Sequence, residues 1–411
     1  MARIEVRPEL RYAWHGPSML VTTPRVECGA EQPLAGYWFR EARHLATLRL
    51  EIDGYQPWLC ESAVLRAERL HATFIHPELV RFAGGGSARA GQDAGEDSRH
   101  ASGLPYRAVD LRVDVTVRIA ALDITLSVAN RARTDLEFQL AWVLDADFVD
   151  LLQVNGEGDG STVPRRVECA ENELRFIRDD PALPLETRIH AAGPHRWEAR
   201  DDGLTLRLRL ARGEGLVLPL RVEAIDPATP MPDEGACEAR WRDWSEGLTE
   251  IRAGGDPAID RIVRENVADI ASFPLLEGRE EEWLAPQAGV PLYPALFGRD
   301  AVTAAWQSAM LDRGEMLDAV LTRLGRVQGT KDDPAHAEQP GRILQQARRG
   351  PLSRLGVLPY GAYYGDFASP LMFVIGLAHL YAWCGDRTRL TAHWDSARRV
   401  LDWARERGDR D

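Results

Sequence analysis

No two cysteines in the sequence stand at CxxC spacing. The five present, Cys28, Cys60, Cys169, Cys237 and Cys384, are odd in number and widely scattered. None combines with histidine at zinc-ligand spacing. A disulfide framework and a structural zinc site are therefore not expected, and reduced thiols in a cytoplasmic protein are. Long apolar runs are also missing. No stretch of about 18 apolar residues occurs, and charges recur through residues 1–10, so neither a membrane span nor an ordinary export signal is expected. Positive charge is outweighed: Lys and Arg number 50 against 63 Asp and Glu, a net charge of −13. That balance argues against nucleic acid or an anionic membrane as a partner and suits a neutral substrate.

What is present is a 411-residue chain, 45% hydrophobic and 27% charged, long enough for two or three globular domains. Twelve tryptophans are many. Most pack in cores, and some are suited to lie against sugar rings. From about residue 45 to 222 the apolar period is two. Leu48, Leu50 and Ile52 alternate with polar neighbours before an Asp53-Gly54 turn. Leu111, Val113, Val115, Val117 and Ile119 share one face, then Leu122, Ile124, Leu126 and Val128, then Leu136, Phe138, Leu140, Trp142 and Leu144. These predict an antiparallel meander. Leu204 to Leu210 is expected to pair with Leu218 to Val222 across Arg212-Gly-Glu-Gly215. Many short strands with turn signals predict a β-sandwich. Residues 83–103, rich in Gly, Ser and Asp, read as a surface loop. Gly84 to Gly86 lack the helix start and Lys-Ser/Thr of a phosphate loop.

Residues 226–233 are proline-rich and predict a linker over 226–255, separating a domain at 1–225 from one at 256–411. Beyond it the period becomes 3.6. Apolar stripes run through Ile259, Ile262, Val263, Val267 and Ile270; Val302, Ala305, Trp306, Ala309 and Met310; Met316, Leu317, Val320, Leu321 and Leu324; Leu371, Val374, Leu377, Ala378 and Tyr381; and Leu390, Trp394, Ala397, Leu401 and Ala404. Ser369-Pro370 suits an N-cap and first helical residue. Five or six helices fit, about half of what a closed ring of hairpins needs if each stripe is to be covered. Residues 287–300 (Gln-Ala-Gly-Val-Pro-Leu-Tyr-Pro-Ala-Leu-Phe-Gly-Arg-Asp) form an apolar, proline-interrupted loop ending in a cation beside a carboxylate. Two readings are open: a helix N-cap Asp300 with a solvated Arg299, or a fixed pair delivered to the mouth of a helical fold.

Four segments carry a family resemblance: Gly36-Tyr-Trp-Phe-Arg-Glu-Ala-Arg-His-Leu45 followed by residues 48–54; Leu144-Asp-Ala-Asp-Phe-Val-Asp-Leu151; Ala288-Gly-Val-Pro291 with Leu296-Phe-Gly-Arg-Asp300; and Glu338-Gln-Pro-Gly-Arg-Ile-Leu344 with Arg348-Arg-Gly350 and Leu358-Pro-Tyr-Gly-Ala-Tyr-Tyr-Gly365. In this order they span nearly the whole chain. The chain resembles the bacterial glycogen-debranching, amylo-α-1,6-glucosidase-like group of glycoside hydrolases. The resemblance implies an α+β multidomain fold, an N-terminal antiparallel β-sandwich followed by the first part of an (α/α)6 toroid. It implies hydrolysis of α-glucosidic bonds in glycogen or related α-glucans, with inversion and with neither cofactor nor metal. Arg299 and Asp300 become sugar-hydroxyl ligands, with Phe297 and Tyr293 shaping the wall and Glu338 and Tyr364 on neighbouring loops. An ionised Asp accepts from two hydroxyls while Arg holds it charged and donates itself.

The sequence departs from the family at Asp366. The family's aspartate aligns with Phe367 when Pro370 is matched, and a shortened loop would aim Asp366 inward as a further sugar ligand. The larger departure is that the acid and base, carried in the family on loops after the helix that ends here, have no counterpart. Glycoside hydrolysis needs both carboxyl groups. The expectation is a chain with little or no turnover alone: part of a longer enzyme, a glucan-binding module, or one half of a split enzyme completed by a complementary C-terminal chain. Uncovered stripes would favour dimerisation.

Overall fold

The computed structural model describes residues 10–77, 101–157, 164–229, 233–252, 254–277 and 282–408. Most of the surface loop expected at 83–103 lies outside them, as does the centre of the proline-rich stretch.

The N-terminal region is β-rich and antiparallel. An eight-stranded sheet runs in the order Arg165–Ala170, Glu173–Arg178, Glu186–Ala191, Gly215–Ile225, Ala121–Asn130, Val109–Val117, Arg69–His76, Trp58–Arg66. It faces a four-stranded sheet ordered Glu198–Arg200, Gly203–Leu210, Leu136–Asp145, Thr47–Ile52. Alternate residues of both, among them Val113, Leu126, Phe138, Trp142 and Leu206, fill one shared core. A third sheet, Arg11–His15, Ser18–Thr22, Gly36–Phe39 and Ala42–Leu45, precedes them.

Two expected pairings are corrected. Ala121–Asn130 does pair with Val109–Val117, but Leu136–Asp145 crosses to the opposite sheet, between Gly203–Leu210 and Thr47–Ile52. Likewise Gly203–Leu210 and Gly215–Ile225 lie on different sheets rather than in one hairpin. The polar turns after 130 and 210 are arches between layers. The buried Asn130 side chain ties them together by donating to the carbonyls of Thr134, Leu210 and Ala211. Alternation fixes which residues face inward but not which sheet a strand joins.

Within the segment expected as a linker, some of the described residues pack against the rest of the protein. Asp226 is buried, and residues Glu234–Glu246 form a helix whose Trp241 donates its indole N–H to the Ala271 carbonyl at 2.6 Å. Within 256–411 the described residues form five helices of 12 residues or more: Pro257–Ala271, Gly298–Asp312, Glu315–Arg326, Ala368–Cys384 and Arg387–Arg407. The last four share one core around Val302, Leu317, Leu321, Phe373 and Val400. Met316, Leu317, Val320, Leu321 and Leu324 are buried as their spacing predicts. Other stripes are rotated. Arg387–Arg407 buries His393, Ala397, Val400 and Trp403 while Trp394 is 58% exposed. Its inward face is partly polar, with His393 against Asp318 at 2.7 Å and the Trp403 indole donating to Gln339 at 2.8 Å, so hydrophobic periodicity misplaces it. Ile259 and Ile262 on Pro257–Ala271 are about half exposed.

A buried ion network joins the two regions. Its root is the turn between Gly36–Phe39 and Ala42–Leu45, where Arg40 and Glu41 both take left-handed backbone angles (φ 49° and 65°). Tight hairpins require that geometry and usually fill it with Asn or Gly. Here both side chains are captured by the other region. Arg40 donates to Glu277 at 2.9 Å, to Asp226 at 3.1 Å and to the Thr229 carbonyl. Glu41 accepts from Arg348 and from the backbone N–H of Arg349. Arg354 donates to both oxygens of Asp226. Asp150 accepts from Leu152 and, across the junction, from Leu352 at 2.7 Å. Three of the four family segments therefore meet here.

Two buried groups at this end of the sandwich titrate in opposition. His44 is enclosed by Phe39 and Phe148 and shares a hydrogen bond with Thr187 at 3.0 Å. Burial pushes its pKa down to about 3. Burial also raises Asp150 to about 6, against its backbone hydrogen bonds. The unfolded histidine takes up a proton below about 6.5 that the folded one refuses, so this term falls as pH drops. Folded Asp150 holds a proton between pH 3.8 and about 6 that the unfolded group releases, so its term is largest at low pH and falls as pH rises. Urea melts between pH 4 and 6 should show Asp150→Asn becoming more acid-sensitive than the parent and His44→Asn less so, each by about 1.4 kcal/mol per pH unit. Parallel profiles for parent and variants would contradict this.

Candidate sugar-binding site

Residues 287–297 are pinned at both ends. Gln287 donates its side-chain amide to the Gly16 carbonyl at 3.0 Å, and Gly289 and Tyr293 exchange backbone hydrogen bonds. Leu296–Phe297 then pairs with Gln346–Ala347, and the Gly298 N–H donates to Gln345. Gly298 begins the helix because nothing larger fits: a Cβ there would lie 2.1 Å from the Leu344 carbonyl oxygen.

The helix starts two residues before Asp300, with Phe297 at the N-cap position and no side-chain cap of its own. Asp300 therefore does not cap it, while Arg299 is solvated as the first of the two readings expects. The orphan N–H groups are met from elsewhere: Gly298 by Gln345, and Arg299 by the Ser369 hydroxyl at 3.0 Å. Ser369 in turn donates to Asp366 at 2.6 Å. The Asp300 carboxylate is left in the first turn, where the helix dipole favours negative charge, with Arg299 Nη2 at 3.3 Å from each oxygen. Both side chains reach solvent, 55% and 39% exposed.

The residues just before the pair in sequence form an aromatic corner. Tyr293, half exposed, meets Phe297 edge-on at 5.5 Å between centroids. The buried Arg348 guanidinium lies 5.8 and 5.2 Å from the two ring centroids while paired with Glu41. The junction network thus backs the aromatic wall.

The remaining expected ligands are placed differently. Tyr364 is 6% exposed, and its hydroxyl donates to the Val327 carbonyl at 2.7 Å. Burial, then the nearby Glu338 carboxylate, push its pKa up to about 12. It is a core phenol rather than a presented one. Glu338 sits beside it, accepting from the Thr330 N–H at 2.8 Å and closing the 333–338 turn by its backbone. Asp366 is engaged close to its own place in the chain. Both its oxygens are taken at the start of Ala368–Cys384, by the N–H groups of Ala368 and Ser369 and by the Ser369 hydroxyl. Asp366, not Ser369, caps that helix, and Ser369 is freed to hold Arg299.

The sequence reading missed Ser369 and Arg348 as supports of the site. It also missed an exposed cluster beside Glu338. There, hydrogen bonds from Lys331 and His336 hold the Asp333 carboxyl at about 2, so it stays charged. Among the described residues no group of three or more His, Cys, Asp or Glu side chains is arranged to hold a metal ion, and no helix is long and apolar enough to cross a membrane.

Sandwich followed by helices is a glycosidase-like architecture. A solved protein described as a kojibiose phosphorylase, from the human microbiome, superposes on 90% of this chain with a TM-score of 0.56 at 9% identity. The chain spans 53% of the length of that protein. A protein described as an aldose 1-epimerase, from Escherichia coli K12, aligns over 53% of this chain and 99% of its own at 11% identity, with a TM-score of 0.29, too low to bear on the fold. No curated protein matches. The chain belongs to a family of carbohydrate-active enzymes, defined by the N-terminal domain of some glycogen debranching enzymes, whose model matches residues 14–221.

Proposed function

We propose that the chain is the sandwich and the first helical part of an (α/α)6 glycoside hydrolase of the glycogen-debranching type. It acts in the cytoplasm on α-glucosidic bonds of glycogen or related α-glucans. The observation that carries this reading is the Arg299–Asp300 pair, exposed at a helix start that follows the loop bearing Tyr293 and Phe297, in a chain of this family. In this reading Asp300 accepts from two hydroxyls of one glucose, Arg299 donates to a third, and the aromatic corner lies against the ring. In this reading the chain by itself grips sugar without cleaving it. A complementary chain or a second copy covers the outward faces, where Ile259, Ile262, Trp394 and Leu401 are exposed.

Calorimetry with maltooligosaccharides tests the subsite. The parent binds, and Asp300→Ala weakens binding by about a hundredfold, since two hydrogen bonds to a charged group are lost. Equal affinity for the two proteins would remove the pair from the site. Release of glucose from a branched dextrin by the chain alone, abolished in Asp300→Ala, would show that a catalytic carboxyl lies within these residues.

A further inference from the structure

The outer face of the eight-stranded sheet carries an open groove of about 600 Å³, within the range of small-ligand sites. Strand register defines it. Trp58, Ile75, Asp110, Ala129 and Gly215 stand opposite one another in turn across five strands. Thr73, Arg112, Ser127 and Val217 do the same across four. Directly opposed residues share a face. The residues that alternate with them, among them Phe74, Leu111 and Val128, fill the sandwich core. The two rows, Trp58 apart, line the groove together with Cys60 and Arg131. The groove lies at the far end of the sheet from the helices, because Ile119, just past the other end of Val109–Val117, is the residue that packs with Cys237, Leu276 and Trp283.

The floor is low where Ser127, Ala129 and Gly215 adjoin, so a flat ring can approach the backbone there. Trp58 stands at one end of the rows, 58% exposed, and Val217 at the other, 61% exposed. The charges cancel in pairs. Arg131 donates to Asp110 at 2.7 Å, and Arg112 donates to both oxygens of Asp114, at 2.7 and 3.1 Å. A low floor, an indole at the rim, and donors and acceptors without net charge suit a neutral polyhydroxyl chain, whose C–H faces lie on aromatic rings. We infer that the groove is a second carbohydrate site, holding a short run of glucose units of a neutral glucan across the strands, with Trp58 against one ring. It tethers the polymer and leaves Arg299 and Asp300 to grip a separate unit. The choice of glucan as occupant rests on the proposed function, whereas the shape and charge of the groove do not.

Two exposed thiols provide the test. Cys60 lines the groove, while Cys169 lies on Arg165–Ala170, at the other edge of the same sheet. Alkylation by iodoacetamide is followed peptide by peptide in the Asp300→Ala chain, so that only the groove is read. Saturating maltoheptaose should slow modification of Cys60 by about tenfold and leave Cys169 unchanged. Trp58→Ala, added to this chain, should melt like it and need about tenfold more maltoheptaose for half protection. Ser127→Trp, which fills the floor, should abolish protection. Protection of both thiols or of neither would overturn the proposal, as would half protection unchanged in both variants. So would Cys60 protection that appears without sugar and grows with protein concentration, the mark of a second copy seated on the groove. Calorimetry separates the two sites. A component lost in Asp300→Ala, without Cys60 protection, would sink the groove and keep the Arg299–Asp300 reading. Cys60 protection with calorimetry unaltered by Asp300→Ala would keep the groove and sink that reading.

Discussion

Replacing Glu41 by alanine lowers the unfolding free energy by about 3–5 kcal/mol, the range for breaking one side of a buried ion pair. Glu41 and Arg348 are each about 5% exposed or less. Removing the carboxylate strands the Arg348 guanidinium and also leaves the Arg349 N–H without its acceptor at 2.7 Å. Nothing is regained at the turn, since alanine at φ 65° is no more comfortable than glutamate. Denaturant melts followed by tryptophan fluorescence read the loss. A double replacement, Glu41→Leu with Arg348→Met, should be distinctly less damaging than Glu41→Ala alone, because it removes both charges together. If Glu41→Ala melts within about 0.5 kcal/mol of the parent, the pair does not hold the two regions together.

The second large effect is expected at Gly298. An added methyl would stand 2.1 Å from a backbone oxygen, that of Leu344, and 3.0 Å from Ser369. No flexible side chain can yield there. The helix start must move, which breaks the 2.8 Å bond from the Gly298 N–H to Gln345 and pulls Arg299 off the Ser369 hydroxyl. Gly298→Ala should therefore lose about 3 kcal/mol or more in denaturant and lose maltooligosaccharide binding with it. Gly361→Ala is the matched control, its added carbon meeting nothing nearer than 3.5 Å. A Gly298→Ala protein that melts and binds like this control would mean that the start of the helix tolerates displacement.

Much of this architecture is legible in the sequence because it rests on local pattern. Alternation locates Val109–Val117, Ala121–Asn130 and Leu136–Asp145, and the 3.6 period locates Glu315–Arg326, since each depends on neighbours within one element. What alternation lacks is any record of the partner strand, so the passage of Leu136–Asp145 to the opposite sheet is invisible. The same limit governs the site. The loop ending in Arg299 and Asp300 stands out as an apolar run closed by two charges. Its supports do not, because Ser369 and Arg348 reach it through contacts with no local signature. Asp366 shows the converse. A carboxylate near a helix start is more often a cap than a ligand, and both its oxygens are spent on N–H and hydroxyl donors. Tyr364 falls to the same ambiguity, since a tyrosine in a loop reads alike whether its ring is packed or presented.

The Arg40–Glu41 turn has a consequence in time as well as in space. Glu41 and Arg348 are 307 positions apart, and Arg40 and Glu277 are 237 apart. At roughly 5–20 residues per second, synthesis takes about 15–60 s to travel from one partner of the first pair to the other. Through that interval the sandwich can close on its own core, yet its most constrained turn presents two charges whose counter-ions have not been made.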